Sequence, residues 1–322
     1  MIEYSNSLLD ERYYEIKHKS GLRVIVFPKD RQSSCAILAC EYGSIDNSFV
    51  DDNGETVTVP DGIAHFLEHK MFENEDGTSV EENFSRLGAD SNAFTKWDAT
   101  AYFFTVAGTE KFYPALDELM SFVMTPCFTD ESVEREKGII EQEIVMCEDD
   151  PYDRCFLNLI GGLYAENPIR LDVAGSVKSI SKIDAELLRK CHNKFYTPAN
   201  MMLIVSGNLS PEVIVEAVDK FFTEEKYPNS RRPERKPVCE KKQAASPRVT
   251  VKMAVERPMF SIGFKDAVEI SDSREGMKRQ MISEMLVEQI FSSSGELYTD
   301  LYKRNIMTTS ELTFSKVCRS IL

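Results

Sequence analysis

His65, Glu68 and His69 are the residues of this chain best suited to chemistry. If Asp61 to Phe72 is a helix, the two histidines stand at i and i+4 on one face, where two imidazoles can grip a single cation. Glu68 directly precedes the second histidine, so the pattern H-x-x-E-H reverses the order of the H-E-x-x-H zinc helix. Neutral imidazoles suit Zn²⁺, and a carboxylate beside the cation can take a proton from water and act as a general base.

A catalytic zinc normally has three protein ligands and one open position. The chain has four histidines. His18, in Lys17-His-Lys19, and His192, in Arg189-Lys-Cys-His-Asn-Lys194, read as surface histidines because of their charged neighbours. A carboxylate is the better third ligand. The segment Val133 to Asp150 carries Glu134, Glu136, Glu141, Glu143 and Glu148. Advancing about 100° per residue, its apolar face is set by Val133, Ile140, Ile144 and Cys147, with Ile139 at the margin. Glu136 and Glu143 fall inside that stripe; the other three glutamates fall on the solvent side. A carboxylate in an apolar stripe is costly unless a cation meets it. Glu143 is therefore the candidate third ligand, and Glu136 a supporting carboxylate that orients a ligand histidine or stabilises transition-state charge. Salt bridges to Lys or Arg from elsewhere in the fold are the alternative for both.

Several elements must position these groups. Tyr13 to Phe27 reads as two strands turning at Ser20-Gly21, and Cys35 to Tyr42 as a third. Asp61 is the expected N-cap of the motif helix, which is apolar nearly all round and therefore buried. Ser79-Val-Glu-Glu82 is a capping box opening a short helix that stops at Gly88. Strands Ser91 to Thr95 and Thr100 to Val106 follow. Helices are expected around Phe112 to Val123, Ser132 to Cys147, Asp153 to Tyr164 and Ile183 to Phe195. Next come a strand from Met201 to Ser206 and a helix opened by Ser210-Pro211.

Between Glu224 and Ser246 the composition turns to Lys, Arg, Glu and Pro, the mark of an interdomain linker. Beyond it, Val249 to Val255 and Phe260 to Phe264 read as strands, and Met277 to Phe291 and Leu297 to Lys303 as helices. This order echoes the opening of the chain. The expected plan is 1–223 as the zinc-binding domain, 224–246 as the linker, and 247–322 as the start of a second domain, with the chain stopping part-way through it.

Hydrophobic residues make up 42% of the 322, with no apolar run near the roughly 20 residues that span a bilayer, so a globular rather than a membrane protein is expected. No signal peptide is visible at the start, which points to the cytoplasm. The eight cysteines are scattered without a C-x-x-C pair and read as thiols. A net charge of −15 argues against nucleic acid or an anionic membrane as partner. It suits a cationic peptide, or simply solubility.

The set His65, Glu68, His69, Glu136 and Glu143 resembles the M16 family of zinc peptidases, the pitrilysin, insulin-degrading and mitochondrial-processing group, whose pattern is H-x-x-E-H followed by E-x6-E. Gly88-Ala-Asp-Ser-Asn92-Ala93-Phe-Thr95 resembles the family's strand beside the metal. Asn167-Pro168, Gly175 and Phe195-Tyr196-Thr-Pro198-Ala-Asn200 resemble later landmarks. The resemblance implies an α+β fold, a mainly antiparallel sheet with helices packed on it, doubled into a second half of like fold that closes on a peptide. It implies Zn²⁺ on His65, His69 and Glu143, Glu68 as the base, Glu136 in support, and substrate added as a strand at the edge carrying Asn92 and Ala93. It also implies an Arg and a Tyr from the second half, expected past Leu322, so neither Arg304 nor Arg319 is given that role. The function implied is a zinc endopeptidase for peptides or small unfolded proteins, as a homodimer or a heterodimer with a related chain. Two alternatives stand beside it: a subunit that binds zinc and peptide without turnover, and a structural protein with core histidines.

Overall fold

The computed structural model describes residues 1–306 apart from 52, 75, 224, 228, 229, 236, 237 and 267–271. The sequence end from Phe314 to Leu322, with Cys318 and Arg319, lies outside the described residues. Two compact units divide the chain, Met1–Phe264 and Lys265–Leu322.

The first unit opens with β1 (Ile2–Asn6), β2 (Glu11–Lys17), β3 (Arg23–Pro28) and β4 (Ser33–Cys40), then the small pair β5 (Ser48–Val50) and β6 (Thr56–Thr58). Helices α1 (Ile63–Met71) and α2 (Val80–Leu87) lead into β7 (Ala89–Thr95) and β8 (Thr100–Ala107). Helices α3 (Phe112–Met124), α4 (Asp130–Asp149), α5 (Pro151–Leu163), α6 (Val177–Ile180) and α7 (Ala185–Phe195) precede β9 (Met201–Gly207) and α8 (Pro211–Phe221). The second unit contains α9 (Ser273–Phe291) and α10 (Glu296–Lys303).

Seven strands form one sheet in the order β1-β2-β3-β9-β4-β8-β7. Every pairing is antiparallel except β3 with β9. The fold is thus α+β with a mainly antiparallel sheet. Strict alternation drives one face inward: Val24 and Val26 of β3, Ala36 and Leu38 of β4, and Leu203 and Val205 of β9 are all buried. Onto that core pack Phe66, Phe84, Phe104, Phe112, Leu116, Leu119, Leu188 and Phe195. Burying each such side chain stabilises by about 1.5–3 kcal/mol. At the site end of the sheet, β7 pairs only with β8 among the described residues and so presents a free edge.

Several local expectations are corrected. The N-cap of α1 is Gly62 in the left-handed conformation, not Asp61, whose carboxylate instead accepts from Asn47 Nδ2 at 2.8 Å. Ser79 caps α2 through the N–H of Glu81 without the reciprocal half of a capping box. Ser210 makes no capping bond to α8; its hydroxyl donates to the Glu212 carboxylate. Residues 248–264 form no strand among the described residues, although Val249, Val251, Phe260 and Ile262 alternate as a strand would. A ladder needs a partner backbone, and these side chains are largely exposed instead. His18 and His192 are buried, not superficial. His18 is held between the Ser20 hydroxyl at 2.8 Å and Asp219 Oδ1 at 3.1 Å. His192 donates to the Val123 carbonyl at 2.9 Å and stacks on Tyr196 with centroids 4.6 Å apart.

The segment read as a linker is strapped to the first unit. Arg235 bonds Asp46 Oδ1 at 2.7 Å, and the Glu240 carboxylate accepts the backbone N–H groups of Ala165, Glu166 and Asn167 at 2.8–3.1 Å. Ser246 N–H reaches the Gly162 carbonyl at 2.8 Å.

Candidate metal centre

Helix α1 buries Ile63, Ala64, Phe66, Leu67, Lys70 and Met71, leaving His65, Glu68, His69 and Phe72 as its half-buried stripe. These follow the i, i+3, i+4, i+7 spacing of one helix face. The start of α1 is placed by two glycines. Gly62 has φ 89° and Gly175 φ 78°. A Cβ on Gly62 would lie 2.3 Å from the Ala174 carbonyl oxygen, and one on Gly175 2.5 Å from that of Asp61. Only glycine permits both the left-handed backbone and this contact.

Helix α4 is aligned by its Thr129–Ser132 capping box and by burial of Val133, Ile140 and Ile144. Glu136 and Glu143 are half-buried on its inner side, while Glu134, Glu141 and Glu148 are exposed. Ile139 is exposed as well, so the apolar stripe is narrower than expected. Glu73 ties the two helices together: it pairs with the fully buried Lys70 ammonium and accepts from Arg135 of α4 at 2.9 Å.

Where α1 faces α4, one ligand-capable atom from each of His65, His69 and Glu143 falls within 4.8 Å of the others. His65 Nε2 lies 3.5 Å from Glu143 Oε1, and His69 Nε2 lies 3.4 Å from Glu143 Oε2. His69 Nδ1 donates to Glu136 Oε1 at 3.0 Å. That bond selects the tautomer whose Nε2 lone pair is free to bind a metal. His65 Nδ1 is buried without a hydrogen-bond partner. Two imidazoles and a carboxylate are the donor set of a catalytic zinc with an open position, and these residues fit Zn²⁺.

Electrostatics follow the geometry. Burial raises the Glu68 carboxyl above its ordinary range, against a lowering by the Thr95 hydroxyl and by both imidazoles. His65, ahead of an opposing effect of burial, draws the Glu143 carboxyl down. Burial pulls the His69 imidazolium down, but the hydrogen bond and charge of Glu136, with Glu143 and Glu68 behind, raise it overall. The site therefore favours cationic occupants between its carboxylates.

Asn92 and Ala93 lie in β7 on opposite faces. Asn92 Oδ1 accepts from the Ala93 N–H at 2.8 Å, and Ala93 stands opposite Tyr102 and packs on the core. Two contributors were missed from sequence. Thr95, closing β7, donates to Glu68 Oε2 at 2.5 Å. Lys70 carried a legible signal, as the one charge on the helix face that is otherwise wholly apolar.

Residues 55–176 match the family model described as Insulinase (Peptidase family M16), and residues 182–316 the one described as Peptidase M16 inactive domain. The chain is 40% identical over 305 residues to the uncharacterized zinc protease YmfH of Bacillus subtilis (strain 168), covering 94% of this chain and 70% of that protein. To an uncharacterized zinc protease of Rickettsia bellii it is 27% identical over 219 residues, covering 67% of this chain and 51%, about half, of that relative. Among solved structures, an M16-like peptidase from Alicyclobacillus acidocaldarius aligns with a TM-score of 0.77 and 30% identity over 92% of this chain and 69% of that one. A protease from Helicobacter pylori shares the fold, with a TM-score of 0.64 and 19% identity over 72% of this chain and 55% of that one.

Proposed function

The chain belongs to peptidase family M16, and from that premise we propose that it is a zinc-dependent endopeptidase acting on extended peptides or small unfolded proteins. The observation that carries the reading is the meeting of His65, His69 and Glu143 from two helices, with Glu68 beside them. His65, His69 and Glu143 would hold Zn²⁺, which when bound supplies a Lewis acid for the scissile carbonyl and for water. Glu68 takes a proton from the attacking water as its oxygen adds to the carbonyl carbon. It returns that proton to the amine as the C–N bond breaks. Glu136 keeps the His69 ring turned to the cation through the bond at Nδ1. The free edge of β7 at Asn92 and Ala93 suits a substrate held as an added strand, by backbone bonds that ignore sequence. The seven described cysteines are free thiols, which suits a reducing, cytoplasmic setting. Among the described residues no helix is long and apolar enough to cross a membrane.

The test is turnover of a quenched fluorescent peptide library beside zinc content. Glu68→Gln should keep one zinc per chain and lose on the order of 10²–10⁴-fold in rate. Near wild-type turnover in that variant would sink the assignment. A second reading, a subunit that binds zinc and peptide without turnover, draws on the match of 182–316 to a domain described as inactive. Stoichiometric zinc with no hydrolysis by the wild-type chain would select it.

A further inference from the structure

We infer that Thr95, backed by Thr100, is the positioning residue of the general base, so that one strand both meets the substrate and aims the carboxylate. The inference rests on Glu68 being that base. Thr95 closes β7 and stands directly opposite Thr100 across the β7–β8 ladder. Thr100 is fully buried, and its hydroxyl donates to the Tyr42 carbonyl at 2.9 Å. A hydroxyl has one proton, so Thr100 presents only lone pairs to Thr95 Oγ1, 3.3 Å away. The single Thr95 proton therefore has two acceptors in reach, a neutral oxygen at 3.3 Å and the Glu68 carboxylate at 2.5 Å. The ionised acceptor wins, and the short distance is that of a charge-assisted O–H···O⁻ bond.

This bond fixes Glu68 Oε2 and leaves Oε1 without a hydrogen bond among the described residues, as the oxygen that meets water. A glutamate on a helix has three rotatable bonds, and nothing in α1 itself selects one setting for its carboxylate. Selection comes from β7, three residues after Asn92 and two after Ala93. A peptide that docks on this strand is thereby registered to the same backbone that aims the base, which is how small misplacements are avoided in a reaction sensitive to them.

The test uses the full chain as wild type, Thr95→Val, Thr95→Ser and Glu68→Gln. Valine keeps the size and the β-branch, so β7 should fold, and thermal unfolding checks this. Two readouts are taken: kcat and KM of the zinc-loaded proteins on a quenched fluorescent peptide, and the Glu68 carboxylate position in crystals of the metal-free proteins. Thr95→Val should lower kcat about 10- to 100-fold with KM and zinc content unchanged, and move the carboxylate; Thr95→Ser should restore both. A carboxylate unmoved in Thr95→Val overturns the inference whether or not turnover is measurable. Loss of activity in Glu68→Gln beside wild-type kcat in Thr95→Val overturns the positioning role alone. Full activity in Glu68→Gln removes the base assignment and this inference with it.

Discussion

Replacing Glu136 by Gln should weaken zinc binding by an amount that depends on pH in a definite direction. The side chain makes one functional contact, to His69 Nδ1 at 3.0 Å, and glutamine keeps its size while losing its charge. Partners of this kind typically contribute about 10- to 100-fold to metal affinity, which is ~1.4–2.7 kcal/mol. Glu136 also acts against zinc. Burial lowers the His69 pKa, but the bond and charge of Glu136 outweigh it and raise the imidazolium above its ordinary value, so zinc must displace a proton. Glu143, held low by His65, is ionised across the neutral range and adds no slope there. Toward pH 8 the proton competes less for the wild-type imidazole, and the variant's deficit in affinity is largest. Near pH 6 the wild type loses affinity to the proton, the variant loses less, and the deficit shrinks. Competition against a fluorescent zinc chelator at both pH values measures it. No deficit at pH 8, or a larger one at pH 6, would refute the assignment of Glu136 to His69.

Two further outcomes follow from the same structure. Gly62→Ala puts a Cβ 2.3 Å from the Ala174 carbonyl oxygen at φ 89°, so urea unfolding should show a loss of about 2 kcal/mol or more, with weaker zinc binding because α1 carries both histidines; a change under about 0.5 kcal/mol would contradict the close contact. Burial lowers the His192 pKa to about 4. Between that value and the unfolded one near 6.5 the unfolded chain binds the extra proton, so stability rises with pH across this window and falls on acidification. The contribution is on the order of 3 kcal/mol, and His192→Gln should remove it from the pH dependence of urea midpoints in metal-free protein; an unchanged slope in that variant would place the acid sensitivity elsewhere.

Much of the candidate site was legible because its signals are local. His65 and His69 share a face by helix geometry alone, and Glu136 and Glu143 betray themselves as charges within an apolar stripe. His192 was misread for an instructive reason. Its neighbours Arg189, Lys190 and Lys194 suggested solvent, but Leu188, Cys191 and Phe195 place it in the buried stripe of α7. Periodicity outranks immediate neighbours on a helix. Asp61 has the chemistry of an N-cap, yet the approach of Ala174, more than a hundred residues away, requires Gly62 to take that place.

By itself, then, the sequence determined most of the inventory: the longer strands and helices from β2 to α8, though not β1, β5, β6 or α6, and which imidazoles and carboxylates could share a cation. Those follow from repeat lengths of two and 3.6 residues, which the chain carries within a few turns of itself. Only the tertiary structure decided that α1 meets α4 through Lys70, Glu73 and Arg135, and that Thr95 reaches Glu68 from the neighbouring strand. The Glu68–Thr95 and Glu73–Arg135 contacts join residues 27 and 62 positions apart, for which no local period exists. Packing of the shared core sets them, to within the few tenths of an ångström on which a hydrogen bond depends.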